Sequence, residues 1–353
     1  MKKTIALILT LIMLVAMLAG CTGTTVVIGE CNCPAEEVAP AAPAEGALKT
    51  GLSVSVNIAD SISATADAPG AAKYDVTVAA VTVDDNGVIR SCTIDSIPAT
   101  VEFDAAGNIT TDLATVIQTK NELGENYNMV AYGGAIAEWD EQVAAVAAYA
   151  VDKTVEELKN GDIDMTTGKA KDGTDLKSSA TIYLAGYVYA IEAAVNNAKH
   201  LGAQAGDELV LTTINSIGSS ASCVNEEDGT AQLDADIVAL TRKDGKITSC
   251  YIDSLQAKIS FNTAGAIVTD LTAPVQTKNE LGDAYNMVAW GGAKAEWYEQ
   301  AASFAEYVTG KTAEEVAGIA ITETTKPADG TDLASSVTIS IGGFQALIAK
   351  AMQ

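Results

Sequence analysis

Residues 74–83 alternate apolar and polar side chains, break at Asp85-Asn86-Gly87, and resume the alternation from 88 to 97. A period of two interrupted by an Asn-Gly turn predicts an antiparallel hairpin. The same pattern returns at 237–241, Asp244-Gly245 and 246–255. Turn signals at Ala106-Gly107-Asn108 and at Ala264-Gly265 predict a further strand pair at each place. Beyond them the period lengthens. Residues 139–149 and 297–308 carry apolar side chains at helical spacing. Short helices are predicted from Thr154 and Thr312, with Glu157 and Glu315 at the capping-box position. An apolar helix is predicted to begin at Thr181, through Ile182, Ala185, Val188 and Ile191, and again at Thr338, through Ile339, Phe344 and Leu347. Hairpins followed by helices predict an α+β fold built on an antiparallel sheet with packed helices.

The recurrence is a duplication. QTKNELGENYNMVAYGGAIAEWDEQ at 118–142 and QTKNELGDAYNMVAWGGAKAEWYEQ at 276–300 differ at five positions, leaving 20 of 25 identical at an offset of 158. Ser91-Cys92 and Ile94-Asp95-Ser96 keep that offset to Ser249-Cys250 and Ile252-Asp253-Ser254, and Thr181 precedes Thr338 by 157. So long a period predicts two tandem domains, 50–203 and 204–353, rather than a solenoid.

Ahead of the repeats, Lys2 and Lys3 precede an apolar run over 5–18 that is short for a membrane span. A basic start, an apolar core and small residues at its end describe a signal peptide, 1–20. Leu18-Ala19-Gly20-Cys21 resembles a bacterial lipobox, which implies lipid attachment at Cys21 and anchoring by two acyl chains. Residues 21–49, rich in Ala, Pro, Glu, Gly and Thr, read as a flexible tether reaching roughly 30 Å as a coil. The expected location is the outer face of the cell membrane.

Charge and composition exclude more than they assign. A chain of 353 residues, 48% hydrophobic, holds enough apolar material for two cores. A formal net charge of −25 repels phosphate backbones, so nucleic acid is not an expected partner. The one histidine, His200, has no repeat counterpart, which removes histidine-based catalysis or metal ligation common to both copies. No metal site is expected. Cys92 and Cys250 lie in strand-like runs and read as small buried hydrophobes; Cys31, Cys33 and Cys223 carry no assignable chemistry.

Both copies share a polar segment before the last helix, 172–181 and 329–338. Its Ser and Thr side chains suit a helix N-terminus, which also favours a phosphate. Asp175-x-x-Ser178-Ser179-Ala180-Thr181 and Asp332-x-x-Ser335-Ser336-Val337-Thr338 resemble the acceptor motif of FMN-binding domains, with Ser179 and Ser336 where Gly is commoner. Together with Lys120-Asn121-Glu122-Leu123-Gly124 and Lys278-Asn279-Glu280-Leu281-Gly282, and with Glu-Trp-x-Glu-Gln in each copy, the order is similar to duplicated flavin-carrying surface lipoproteins of Gram-positive bacteria.

That resemblance implies FMN joined by a phosphoester to Thr181 and Thr338, with the Asp, Ser, Glu, Leu and Gly residues just named around it. It implies loading by an exported FAD-dependent flavin transferase aided by magnesium. The expected function is an extracellular electron carrier, fed by a membrane quinone-linked system and discharging to ferric iron, a soluble mediator or a partner reductase. A flavin-dependent reductase with its own substrate, and a non-catalytic surface or envelope module in which the Ser-Ser-x-Thr segments only cap helices, are the alternatives. Tyr132 and Trp290, beside Gly133-Gly134 and Gly291-Gly292, suit either flavin stacking or core packing; Trp139 and Trp297 suit the core; Lys120 and Lys278 suit a phosphate neighbour or a solvated loop.

Overall fold

A computed structural model describes residues 46–353. The expected signal peptide, Cys21, Cys31, Cys33 and most of the expected tether lie outside the described residues. The first repeat contains β1 (Lys49–Asn57), β2 (Gly70–Val83), β3 (Ile89–Phe103), α1 (Lys120–Leu123), α2 (Met129–Gly133), α3 (Trp139–Ala150), α4 (Val155–Asn160), β4 (Ile163–Asp164), β5 (Lys169–Ala170), α5 (Asp175–Ser179) and α6 (Ala185–Asn196). The second continues with β6 (Glu208–Ser216), β7 (Gly229–Lys243), β8 (Lys246–Phe261), α7 (Lys278–Leu281), α8 (Met287–Gly291), α9 (Trp297–Val308), α10 (Ala313–Ala317) and α11 (Gly342–Ala351). The fold is α+β, with antiparallel sheets β1-β2-β3 and β6-β7-β8. Among the described residues, no helix is long and apolar enough to cross a membrane.

Alternation along the strands assigns each sheet two apolar faces. On β2, Ala72, Tyr74, Val76, Val78 and Ala80 join one core while Ala79 and Val81 join another. On β7 the first set is Ala231, Leu233, Ala235, Ile237 and Ala239, and the second includes Val238 and Leu240. The first sets of both sheets belong to one shared core, so the sheets pack face to face. The outer face of the first sheet is covered by α3 and α6, that of the second by α9 and α11. The order of layers is helix, sheet, sheet, helix.

Contacts between the repeats are reciprocal, as in an isologous dimer. Ala64 N–H donates to Gly265 O at 2.8 Å and Cys223 N–H to Gly107 O at 2.9 Å. Ile267 N–H donates to Ser63 Oγ at 3.0 Å and Ile109 N–H to Ser222 Oγ at 2.9 Å. The rings of Phe103 and Phe261, 158 residues apart, stack at 4.0 Å between centroids and 3° between planes. Gly107 is required here: its φ is +73°, and a Cβ would lie 2.4 Å from Cys223 Sγ.

Three expectations are corrected. The turns at Gly107 and Gly265 return the chain for a single bridge each, Phe103 to Ile109 and Phe261 to Ile267, and form no further strand pair. There each turn hydrogen-bonds to the other repeat instead. Ala47 and Leu48, assigned to the tether, pair with the inter-repeat linker, Leu48 N–H donating to Ala203 O at 2.8 Å, and β1 begins at Lys49. The closing helices begin at Ala185 and Gly342, not at Thr181 and Thr338. Leu184 N–H is held by Gly168 O at 2.5 Å and Ile341 N–H by Thr325 O at 2.8 Å. These bonds hold the chain out of the helix until Leu184 and Ile341.

Candidate functional site

The Thr-Lys-Asn-Glu-Leu-Gly segment is a clamp on the middle of the strand before it, β3 in the first copy and β8 in the second. Thr119 Oγ1 accepts from Glu122 N–H, and the Glu122 carboxylate accepts from Thr119 N–H, closing a capping box. Asn121 donates its Nδ2 to Ile94 O at 2.9 Å and its N–H to Asp95 Oδ1 at 3.1 Å. The second copy repeats this with Thr277, Glu280, Asn279, Ile252 and Asp253. Gly124 and Gly282 follow at φ 48°, ψ −125° and φ 50°, ψ −126°, a region open to glycine alone. Thus Ile-Asp-Ser and Asn-Glu-Leu-Gly recur together because they hold one another.

Asp95 and Asp253 are buried, and burial raises both carboxyl pKa values, that of Asp253 to about 6. Hydrogen bonds from Thr277, Ser254 and Asn279 oppose the rise without cancelling it. A carboxyl whose folded pKa exceeds its unfolded value favours the fold when protonated. Its contribution is complete below about pH 4 and lost as pH rises through about 6. Asp253→Asn, which keeps the Oδ1 acceptor without the charge, is therefore expected to gain on the parent protein by roughly 3 kcal/mol between pH 4 and 7. Urea unfolding across that range checks it; parallel stability curves for the two proteins would exclude the assignment.

Lys120 and Lys278 are not solvated loop charges. Lys120 Nζ lies 5.2 Å from the Trp139 ring centroid and 5.3 Å from that of Tyr127, and Lys278 Nζ lies 5.0 Å from Trp297 and 5.4 Å from Tyr285. Burial lowers the Lys278 pKa against the pull of Asp236, Asp234 and Asp253. Trp139 and Trp297 are core residues, 3% and 5% exposed. Cys250 is buried and Cys92 partly buried, and both behave as hydrophobes, desolvation raising their thiol pKa values to about 12.

The start of α3 joins two segments. Glu138 accepts from Met129 N–H at 2.8 Å and Val130 N–H at 3.0 Å, fixing the first turn of α2. One turn along, Gln142 is fully buried; its Nε2 donates to Ala137 O at 2.8 Å and its Oε1 accepts from Thr181 N–H at 2.8 Å and Thr181 Oγ1 at 3.3 Å. In the second copy Glu296 holds Met287 and Val288, and Gln300 holds Ala295 O, Thr338 N–H at 2.7 Å and Thr338 Oγ1 at 3.1 Å. Residues at i and i+4 share a helix face. The α2 turn and the threonine are thereby attached side by side.

Each threonine hydroxyl donates to a glutamine carbonyl, and each threonine residue is only partly buried. Ser178 and Ser335 Oγ donate to Asp175 O and Asp332 O, both at 2.7 Å. Thr174 caps α5, whereas the matching stretch in the second copy is a 3-10 turn, Leu333–Ser335. On the neighbouring α2 turn Tyr132 is 87% exposed, and Trp290 on α8 is 88% exposed, which excludes core packing for both. Gly134 and Gly292 end these turns at φ 61° and 63°, with open space where a Cβ would stand.

Of the residues expected at the site, the structure brings Asp175, Ser178, Ser179 and Thr181 onto one short segment, and Asp332, Ser335, Ser336 and Thr338 onto its counterpart. Glu122 and Glu280 serve the caps and turn to the other repeat: Glu122 pairs with Lys350, and Glu280 lines a cleft of about 940 Å³ between the repeats. Leu123, Gly124, Leu281 and Gly282 shape the chain beside those caps. Gln142, Gln300, Glu138 and Glu296 were absent from the sequence-based site. A glutamine on the apolar stripe of Trp139, Val143 and Val146 was the available signal. Comparison of the chain with protein-family models, curated proteins and solved structures returns no match.

Proposed function

We propose that the protein is an extracellular electron carrier holding FMN covalently at Thr181 and Thr338. The observation that carries this is the same arrangement built twice: a partly buried threonine, tied at its N–H and Oγ1 to a fully buried glutamine, at the start of a helix that also holds the turn carrying an exposed aromatic ring and a Gly-Gly pair. A phosphoester acceptor needs an accessible oxygen with free lone pairs on a fixed backbone, and the residues present fit that need. FMN held there would supply one- and two-electron transfer. The chain's own part is positional. Gln142 and Gln300 orient the hydroxyls, Glu138 and Glu296 fix the adjoining turns, and Tyr132 and Trp290 present ring faces large enough to cover a flat heterocycle.

The same reading places the protein at the outer face of the membrane through Cys21, loaded by an FAD-dependent flavin transferase and passing electrons from a quinone-linked donor to ferric iron, a mediator or a reductase. Its support is the order of motifs along the chain and the lipobox-like start.

Intact-mass spectrometry after coexpression with a competent flavin transferase tests the reading. Two flavin mononucleotidyl additions are expected, falling to one in Thr181→Ala or Thr338→Ala and to none in the double variant. A parent protein that remains at its polypeptide mass would reject it.

A further inference from the structure

The two repeats are closed differently at equivalent places. On one side Lys350 of α11 reaches across to the first repeat, its Nζ pairing with Glu122 Oε1 and donating to Thr213 O at 2.7 Å. That ammonium is seated between a cap carboxylate and an outward strand carbonyl. On the other side the corresponding carboxylate is Glu280, whose Oε2 likewise accepts from Thr277 N–H at 2.9 Å. Among the described residues Glu280 has no ion-pair partner.

The matching carbonyl is that of Val54. β1 pairs with β2 and β6 with β7 in the same register, Val54 opposite Val78 and Thr213 opposite Ile237. Leu52 O, two residues before Val54, is directed outward to Asn197 Nδ2 at 3.1 Å. Carbonyls two apart on a strand point the same way, so Val54 O faces outward as Thr213 O does. What is missing is the lysine. With Thr181 matched to Thr338 and buried Ala194 to buried Ala351, the position of Lys350 is held by Ala193. A methyl group replaces the four-carbon stem, and Glu280 and Val54 both line the cleft of about 940 Å³.

We propose that this cleft binds small alkylammonium compounds, an ammonium being seated between Glu280 and the Val54 carbonyl as Lys350 is between Glu122 and Thr213. Asp253 and Glu306 also line the cleft and favour a second positive charge, and the rings of Tyr251 and Tyr298 flank an alkyl chain. Lys199 Nζ, the cation already present, stands over the Tyr251 ring at 5.1 Å and not on Glu280. The ligand class is therefore the diamines. This site is separate from the threonines and stands whether or not they carry flavin.

Calorimetric titration of the full chain with 1,5-diaminopentane is the test. Saturable binding is expected with a Kd on the order of 1 mM or tighter. Glu280→Gln is expected to weaken it at least about tenfold, as loss of a charged hydrogen-bond partner does. Glu122→Gln removes the same charge from the filled side and is expected to leave binding within about twofold, which separates a site from general attraction to an acidic protein. Ala193→Lys places an ammonium on the chain at the matching turn of α6 and is expected to abolish binding. No saturable binding by the parent protein up to about 10 mM, or equal binding by the parent and Glu280→Gln, overturns the proposal.

Discussion

Gln142→Leu is expected to destabilise the protein by about 2–4 kcal/mol and to abolish flavin loading at Thr181 while leaving Thr338 loaded. Leucine nearly matches glutamine in volume, so no large cavity forms. It accepts and donates no hydrogen bond, and Thr181 N–H, Thr181 Oγ1 and Ala137 O lose their partner together. An unpaired buried polar group costs about 1–3 kcal/mol, and partial exposure of Thr181 lets water recover part of that. Urea unfolding measures the stability, and peptide mass spectrometry the loading at each threonine. A stability change below about 0.5 kcal/mol would show that the glutamine does not anchor the segment. Stability lost with loading kept at both sites would separate anchoring from acceptor function.

Phe103→Ala is expected to cost about 3–5 kcal/mol, and Phe261→Ala about the same, because each ring is fully buried at the meeting of the two sheets. The rings stack on each other, so the double variant should lose less than the sum by about 0.5–1.5 kcal/mol. Against a typical total of about 5–15 kcal/mol, either substitution removes a large share of the stability. Both halves should fail together, since their inner faces form one core. Fluorescence of variants keeping only Trp139 or only Trp297 follows each repeat separately. Two well-separated transitions would show that the repeats hold their structure independently and would reject the shared core as the source of stability.

Much of this was legible along the chain. The hairpins of β2 with β3 and β7 with β8 follow from alternation around Asp-Asn-Gly and Asp-Gly turns, and the structure pairs them antiparallel. α3 and α9 follow from apolar spacing, and the capping boxes at Thr154 and Thr312 form as their Glu at the third position predicts. β1 and β6 escaped notice although 52–56 alternate, because seven of their 18 positions are Ser, Thr or Gly and give a weak contrast. The start of the closing helix was misplaced for a different reason: Ile182 and Ile339 extend the apolar pattern, but bonds from Gly168 and Thr325 hold the chain out of the helix until Leu184 and Ile341.

The site divides in the same way. That Thr181 and Thr338 are equivalent and lie in matched polar segments is written in the duplication. Their attachment to Gln142 and Gln300 is not, since those partners stand 39 and 38 residues away on another helix.

By itself the sequence determined the two central hairpins and their turns, the main helices and the twofold repetition, because backbone preference and side-chain periodicity act over a few neighbouring residues. Tertiary structure alone decided that the sheets close face to face around Phe103 and Phe261, that each threonine hangs from a buried glutamine, and that Glu122 meets a lysine where Glu280 meets an open cleft. Those outcomes depend on which surfaces are removed from water against one another, and chain neighbours carry no record of that.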